Sequence, residues 1–248
     1  MARRAAAGRQ RGELSRSPEL IGHRGAPRER PENTLASFLR ALDLGADAVE
    51  LDVHATRDGV VVVHHDFVPR ADSTVAVLRG RPIAELTAAE LATFRTSGEA
   101  IPTLAAVLEA IGHRATVYVE IKGRDIEQSV IETIAGVPSA TRVAVHSFDH
   151  RAVVRSRAIE PGIAAGILLA SYLIDPESAL RAAGARDYWQ EGSMIDAPLV
   201  DAVHAASGRV IAWTVNEPEH ARRLASMGVD GICTDVLQII GPALASTS

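Results

Sequence analysis

The segment AVELDVH, residues 48–54, alternates apolar and polar side chains along a predicted β-strand. Side chains of a strand point alternately to its two faces, so this strand has one apolar face and one polar face. The apolar face carries Val49, Leu51 and Val53, and the polar face carries Glu50, Asp52 and His54. The sequence on either side of this segment decides which fold can contain such a strand.

A second segment with the same pattern, TVYVEIK, lies at residues 116–122. Val117, Val119 and Ile121 share one face, and Tyr118, Glu120 and Lys122 share the other. Lys122 is the only lysine among the 26 lysine and arginine residues of the chain. Two predicted strands therefore place acidic side chains on one face, and the second adds this single lysine to them.

Short segments rich in β-branched residues recur along the chain and predict further strands. With the two segments above they form the set Leu20–Gly22, Ala48–Val53, Val60–His64, Thr116–Ile121, Arg142–Val145, Gly162–Leu168, Arg209–Thr214 and Gly231–Thr234, with a weaker candidate at Asp187–Trp189. Strands of this spacing leave room for a helix in most of the intervals, which favours a parallel sheet.

Amphipathic helices are predicted in those intervals. The first carries apolar residues at helical spacing, with Asn33 or Thr34 as its N-cap and Gly45 as its end. Its apolar residues are Leu35, Phe38, Leu39 and Leu42, and the other predicted helices are Thr103–Ile111, Asp125–Ile134, Pro176–Ala183, Asp196–Ala206 and Pro218–Met227.

Roughly eight strands that alternate with helices over about 230 residues fit a closed (β/α)8 TIM barrel. An open doubly wound sheet is the alternative, but no Gly-x-Gly-x-x-Gly segment follows the first strand. Residues 66–101 interrupt the alternation and predict an insertion after the second strand region, with a short helix at Ala88–Phe94 and no core of its own. The barrel domain is predicted at residues 18–248, after a disordered arginine-rich tail at residues 1–17.

Composition narrows the class of protein. A chain of 248 residues with 47% hydrophobic and 23% charged residues is typical of a globular protein. Its net charge of -5 gives no support for binding to nucleic acid or to acidic membranes. The single cysteine, Cys233, excludes an internal disulfide. No segment resembles a secretory signal or a membrane-spanning helix, so we expect a cytoplasmic protein.

The acidic faces predict a cation site. In a barrel the outward face of each strand is covered by helices, so a polar face must point into the bore or its rim. Burying unpaired carboxylates is costly, and a shared cation would offset that cost. Glu50, Asp52 and Glu120, with no cysteine nearby, favour Mg²⁺ or Ca²⁺, which prefer oxygen ligands. The alternative, a polar surface face, fits an open antiparallel sheet better.

Histidines and basic residues fall at the predicted ends of two strands. His23 closes the first strand beside Arg24, and His64 and His65 close the segment VVVHH. The C-terminal strand ends form the catalytic face of a TIM barrel. Adjacent strand residues point opposite ways, so only one of His64 and His65 is expected to face the site. Two histidines can serve as acid and base, and Arg24 and Lys122 can hold an anion, which together suggest phosphoryl transfer.

Several segments of the chain resemble those of one known family, the glycerophosphodiester phosphodiesterases. In family order they are HRGAPRERPENT (His23–Thr34), VELDVHATRDGVVVVHHD (Val49–Asp66), YVEIK (Tyr118–Lys122), HSFD (His146–Asp149), WTVN (Trp213–Asn216) and GVDGICTD (Gly228–Asp235). The resemblance extends from about Leu20 to Asp235 and implies a TIM barrel with an insertion. It also implies the hydrolysis of small-molecule glycerophosphodiesters to glycerol 3-phosphate and an alcohol.

The same resemblance implies roles for individual residues. Glu50, Asp52 and Glu120 would bind one divalent cation, Mg²⁺ or Ca²⁺. His23 and His65 would be the acid–base pair, which selects His65 over His64. Arg24 and Lys122 would contact the phosphate, and Glu32 would lie beside the metal site. Trp213 would wall the substrate glycerol, although a buried barrel tryptophan is an equally good interpretation.

Three interpretations compete with this function. Metal-assisted lyase or aldolase chemistry on a barrel is disfavoured, because Lys122 lies among the expected phosphate and metal groups. A lysophospholipase D-like enzyme of the same superfamily would need an apolar groove, for which Phe67, Val68, Val75, Val77 and Leu78 are available. A non-catalytic barrel would retain the fold without turnover. Lys122 is explained in either enzyme by a narrow slot that admits a compact ammonium group but not the broader guanidinium of arginine. Chance is the alternative explanation for this lysine.

Overall fold

Strands and helices alternate through residues 17–70, 72–139 and 142–246, which are the parts of the chain that the computed structural model describes. The strands are β1 (Glu19–His23), β2 (Ala48–Ala55), β3 (Val61–Val63), β4 (Asp72–Ser73), β5 (Phe94–Thr96), β6 (Glu99–Ala100), β7 (Thr116–Ile121), β8 (Val143–Ser147), β9 (Ala164–Leu169), β10 (Asp187–Glu191), β11 (Arg209–Trp213) and β12 (Gly231–Thr234). The predicted tail at residues 1–17 lies outside the described residues except for Ser17.

The α-helices are α1 (Leu35–Asp43), α2 (Ala88–Leu91), α3 (Leu104–Ile111), α4 (Glu127–Ala135), α5 (His150–Ile159), α6 (Pro176–Ala183), α7 (Ala197–Ala205), α8 (Pro218–Met227) and α9 (Leu237–Ala245). Short 3₁₀ helices lie at Ala76–Leu78, Ile83–Glu85 and Gly192–Met194. In the described residues, no helix combines the length and the apolar character that crossing a membrane requires.

Eight of the strands form a closed parallel barrel. Their order around the barrel is β1, β2, β7, β8, β9, β10, β11 and β12, and β12 pairs with β1 to complete the circle. A helix follows each of these strands, after an intervening insertion in the case of β2, so the chain crosses back outside the sheet before the next strand begins. The predicted (β/α)8 TIM barrel is confirmed.

The membership of the barrel differs from the prediction at two strands. The predicted strand Val60–His64 is β3, which pairs antiparallel with β2 and lies outside the barrel circle. It follows β2 after a turn at residues 56–60, which is too short to cross over into a parallel arrangement. The weaker candidate at Asp187–Trp189 is instead the barrel strand β10, paired with β9 and β11.

Two helices were missing from the prediction. Helix α5 carries Arg151, Arg155 and Arg157, and its buried face is made by Ala152, Val153 and Ser156, so its apolar periodicity is weak. Helix α9 is uniformly apolar and contains Gly241 and Pro242, which are poor helix formers. Both helices form because packing against the barrel outweighs these unfavourable local sequence patterns.

The insertion between β3 and α3 folds as a small unit. Strands β4, β5 and β6 form an antiparallel sheet, and α2 is shorter than the predicted helix because β5 begins at Phe94. The expectation that this segment lacks a core is wrong. Its buried residues Leu78, Ile83, Leu86, Leu91 and Phe94 form a separate apolar cluster with Val62 of β3. The unit packs beside the end of β2, where the Arg57 amide donates to the Leu86 carbonyl at 2.8 Å.

The bore of the barrel is apolar in its middle and charged at both ends. At the N-terminal end, Arg209 contacts Glu19 at 2.8 Å and Asp187 at 3.4 Å, and it donates to the Tyr118 hydroxyl at 3.1 Å. That hydroxyl donates to Glu19 at 2.7 Å, and Arg186 binds both oxygens of the fully buried Asp187. Every charge of this cluster therefore has an opposite charge beside it. This cluster lies at the N-terminal end of the barrel strands.

Replacing Arg209 with leucine is expected to lower the free energy of unfolding by about 3 kcal/mol, because it removes one partner from the fully buried Asp187 and from the partly buried Glu19. The measurement is urea unfolding followed by circular dichroism. Arg181→Leu is the control, because Arg181 and Glu177 form an exposed pair within one helix, which contributes little. Equal losses in the two variants would contradict the buried role of Arg209.

Candidate active site

Strand register brings the predicted acidic residues to one level of the bore. Asp52 of β2 lies beside Glu120 of β7, and Glu120 lies beside His146 of β8. Glu50 lies two residues below Asp52 and beside His23, the last residue of β1. The period-two alternation thus predicted correctly that Glu50, Asp52 and Glu120 face the same space.

All three carboxylates are buried, with residue exposures of 3% for Glu50, 1% for Asp52 and 9% for Glu120. The permanently charged cations in contact with them are Arg24 and Lys122. When all three are ionised, three negative groups face two positive ones, and Arg24 is also shared with the more exposed Glu32 at 3.0 Å. The cluster has an excess of negative charge that a bound cation would balance.

Asp52 is the carboxylate held most firmly by the protein. Its Oδ2 accepts from the Asn33 amide at 2.8 Å and lies 3.3 Å from Arg24 Nε, and its Oδ1 lies 3.4 Å from Lys122 Nζ. Burial opposes ionisation, but the charges of Arg24 and Lys122 outweigh it and lower the pKa of Asp52. Asp52 is therefore the anchor for both cations.

The pKa of Glu120 is shifted in the opposite direction to that of Asp52. Burial and the neighbouring charge of Asp52 raise its pKa to about 7, although the Lys122 ammonium lies 3.1 Å from its Oε1. Lys122 thus sits between two carboxylates, as the predicted slot requires. The Lys122 ammonium therefore does not offset the effect of burial and of Asp52 on the Glu120 carboxyl.

His23 is oriented by a carboxylate that sequence reasoning did not single out. Its Nδ1 donates to Asp235 Oδ1 at 2.7 Å, and Asn216 donates to the other Asp235 oxygen at 2.8 Å. This leaves Nε2 of His23 facing Glu50 Oε2 at 4.0 Å. Burial disfavours the charged imidazole, but the bond to Asp235 and the charge of Glu50 outweigh it and raise the pKa of His23.

His65 reaches the same mouth because β3 runs back along β2. The His64 amide donates to the Asp52 carbonyl at 2.9 Å, which brings the next residue to the level of the acidic cluster. Nδ1 of His65 donates to Asp66 at 2.8 Å, and Nε2 of His54 donates to the His65 carbonyl at 3.1 Å. His64 is engaged elsewhere, since its Nε2 accepts from an insertion amide at 3.2 Å.

The remaining predicted residues lie around this cluster. The backbone of Arg24 has a positive φ of 55°, and its amide donates to Glu50 at 3.1 Å. Thr34 alone caps α1, and Asn33 is not a cap but holds Asp52. Trp213 ends β11 at the same mouth, with its ring edge-on to Phe148 at 5.4 Å. The structure therefore brings the predicted residues to one face of the barrel.

His146, the first residue of the HSFD segment, was not among the predicted site residues. It is 1% exposed, and its Nε2 lies 3.8 Å from Glu50 Oε1. Ligand atoms of Glu50, Glu120 and His146 all lie within 4.8 Å of one another. Its place in the site follows from strand register, since it pairs with Glu120 across the sheet, and no local pattern in the sequence specifies that register.

The chemistry of this cluster fits a divalent cation. Within the described part of the chain, Asp52 Oδ1 and both ring nitrogens of His146 are buried without a hydrogen-bond partner. Buried polar atoms are normally paired, so these atoms mark a place where a ligand belongs. The cavity at the opposite end of the barrel is larger, but Glu19, which lines it, is already paired with Arg209.

Comparison with known proteins points to one family. The sequence profile of the glycerophosphoryl diester phosphodiesterase family matches residues 23–239. A glycerophosphodiester phosphodiesterase of Caldanaerobacter subterraneus subsp. tengcongensis is 32% identical over 226 residues, which cover 87% of this chain and 93% of that protein. A protein of the same description from Bacillus altitudinis is 30% identical over 230 residues, covering 88% and 94%.

A solved structure agrees with these sequence matches. An Oleispira antarctica phosphodiesterase, solved in complex with the product sn-glycerol-3-phosphate, superposes with a TM-score of 0.85. It is 27% identical in sequence, and the alignment covers 92% of this chain and 97% of that one. The similarity therefore extends over most of the barrel fold.

Replacing Glu120 with glutamine is expected to raise the free energy of unfolding by about 2 kcal/mol at pH 8 in a chelator, because the raised pKa makes its charged form unfavourable in the folded state. Glu127→Gln is the matched control. Glu127 is also buried, but it accepts from Arg155 at 2.7 Å, so its replacement should lower stability. Urea unfolding of both variants checks the two signs, and a loss of stability in both would contradict the excess of negative charge.

Proposed function

The chain belongs to the glycerophosphoryl diester phosphodiesterase family, and on that premise we propose that it hydrolyses glycerophosphodiesters to glycerol 3-phosphate and an alcohol with the aid of one divalent cation. The observation that carries the proposal is the charge imbalance at the mouth of the barrel. Buried carboxylates outnumber the cations in contact with them, and histidines backed by carboxylates lie beside them. Such a site suits an anionic substrate that arrives with a cation.

Glu50, Asp52 and Glu120 would hold the cation, for which Mg²⁺ and Ca²⁺ are the expected ions. A divalent cation bound there would draw electron density from the phosphoryl oxygens and offset their negative charge. Lys122 and Arg24 would bind the remaining phosphoryl charge, and Glu32 would keep the Arg24 guanidinium in place. Trp213 would form one wall of the space for the glycerol.

His23 is the proposed base. Because its Nδ1 donates to Asp235, its Nε2 carries the free lone pair and faces the acidic cluster. It would take a proton from the nucleophile, which is either water or the neighbouring hydroxyl of the glycerol. The new phosphorus–oxygen bond forms as the bond from phosphorus to the alcohol breaks. With water as the nucleophile this step gives glycerol 3-phosphate directly; with the glycerol hydroxyl it gives a cyclic phosphate, which a water molecule must then open to glycerol 3-phosphate.

His65 is the proposed acid. Its Nδ1 donates to Asp66, which stabilises the imidazolium that must deliver a proton to the departing alcohol oxygen. Its charge lies close enough to Asp52 to help lower the pKa of that carboxyl. Both proposed histidines are thus oriented by carboxylates that do not belong to the acidic cluster.

A second substrate class is favoured by one specific observation. Phe67 and Val77 of the insertion are 68% and 79% exposed, and Phe148 is 47% exposed beside Trp213. Exposed apolar side chains are what an enzyme would need to receive the acyl chain of a lysophospholipid, and Phe148 lies at the mouth beside Trp213. Leu78, which was expected to contribute, is buried in the insertion cluster and cannot do so.

The function is tested by incubating chelator-treated protein with glycerophosphocholine and measuring glycerol 3-phosphate, with and without added Mg²⁺ or Ca²⁺. We expect release only when a cation is present. Lysophosphatidylcholine in a parallel reaction distinguishes the second substrate class by release of choline. Folded protein that releases nothing from either substrate with any divalent cation would contradict the proposal and favour a non-catalytic barrel.

Replacing His65 with alanine is expected to lower kcat by about 10²–10⁴-fold, the usual contribution of a general acid or base. His64→Ala is the matched control, because His64 is the adjacent histidine and its Nε2 binds the backbone of the insertion. That control should lose stability but keep most of its turnover per folded molecule. A larger kcat loss in the control than in His65→Ala would reverse the assignment.

A further inference from the structure

The expectation of Mg²⁺ or Ca²⁺ depends on the premise that only oxygen atoms face the cation. His146 contradicts that premise. Its partner across the sheet is Glu120, so its side chain enters the bore at the same level as the carboxylates. The Nε2 atom lies 3.8 Å from Glu50 Oε1, which is too long for a hydrogen bond.

Aromatic rings hold the His146 imidazole in place. The Trp189 indole meets it edge-on with ring centroids 4.3 Å apart, and the Tyr118 ring is parallel to it at 6.3 Å. Gly166, the neighbour of His146 on β9, makes this packing possible. A Cβ atom at position 166 would lie 2.9 Å from Trp189 Cδ1, so any larger residue would displace the indole.

The nitrogen atoms of this imidazole have no partner within the described residues, although the ring is almost completely buried. A neutral imidazole left in this state loses its hydrogen bonds to water and gains none from the protein. A histidine kept only for its shape is poorly explained here, because phenylalanine would fill the same space without that cost. A cation at Glu50 and Glu120 would give Nε2 its missing partner.

We propose that Nε2 of His146 is a ligand of the cation beside the carboxylates, and that the site therefore prefers a divalent transition ion such as Mn²⁺ to Mg²⁺ or Ca²⁺. Imidazole nitrogen binds first-row transition ions well, whereas Mg²⁺ and Ca²⁺ take oxygen ligands. This inference depends on the proposed function only in requiring that a cation binds at the site.

The test uses the full chain, stripped with chelator and loaded with Mn²⁺ in the absence of substrate. Pulsed electron paramagnetic resonance detects the ¹⁴N coupling of a directly bound imidazole. We expect that coupling in the wild-type protein, its loss in His146→Phe, and its retention in His204→Phe, whose imidazole binds Asp230 at the other end of the barrel. His146→Gln gives a second variant if the phenylalanine variant does not fold.

Calorimetric titration measures the ion preference. We expect the wild-type protein to bind Mn²⁺ at least about 10-fold more tightly than Ca²⁺ or Mg²⁺, and His146→Phe to lose most of that difference. Folded wild-type protein that binds Mn²⁺ without ¹⁴N coupling, or that binds Ca²⁺ or Mg²⁺ more tightly, would overturn the inference. Because neither measurement contains substrate, failure of hydrolysis and failure of this inference are distinguishable.

Discussion

Repulsion among the carboxylates of Glu50, Asp52 and Glu120 is the constraint on which the rest of the site depends. A low-dielectric bore strengthens every charge interaction within it, and the closed barrel prevents the three groups from moving apart. Arg24 and Lys122 neutralise part of the charge, and most of their effect falls on Asp52. Burial, together with the remaining negative charge of Asp52, raises the pKa of Glu120, and a bound cation would favour its ionised form.

The two ends of the bore differ in whether positively charged side chains match the carboxylates. The N-terminal cluster also contains buried charges, but Arg209 and Arg186 match Glu19 and Asp187 by direct contacts. It therefore stabilises the barrel without needing a ligand. The C-terminal cluster leaves buried polar atoms unpaired, in the region where parallel barrels carry their active sites. The two ends of the bore therefore differ in whether their buried polar atoms have partners, more than in how many charges they carry.

Much of the fold and of the site could be predicted from local pattern. The alternation in AVELDVH and YVEIK fixed the faces of the acidic residues, because side-chain direction in a strand follows from position alone. Asp235 and His146 were missed because their partners lie on strands distant in sequence. Strand register and pairing across the barrel are properties of the closed sheet. The arginine-rich helix α5 was missed because packing outweighs its weak local pattern. The antiparallel course of β3 follows from the short turn after β2, which the prediction of a barrel strand did not take into account.

The central claim is that the charge imbalance at the mouth of the barrel exists to hold a cation together with a phosphate group. A crystal structure of the protein grown with Mn²⁺ and glycerol 3-phosphate, with anomalous diffraction recorded at the manganese edge, tests it most directly. The account predicts one anomalous peak between Glu50 and Glu120, with the phosphate beside it and within reach of Lys122. A crystal in which the ion and the phosphate bind elsewhere, and leave these carboxylates unoccupied, would contradict it.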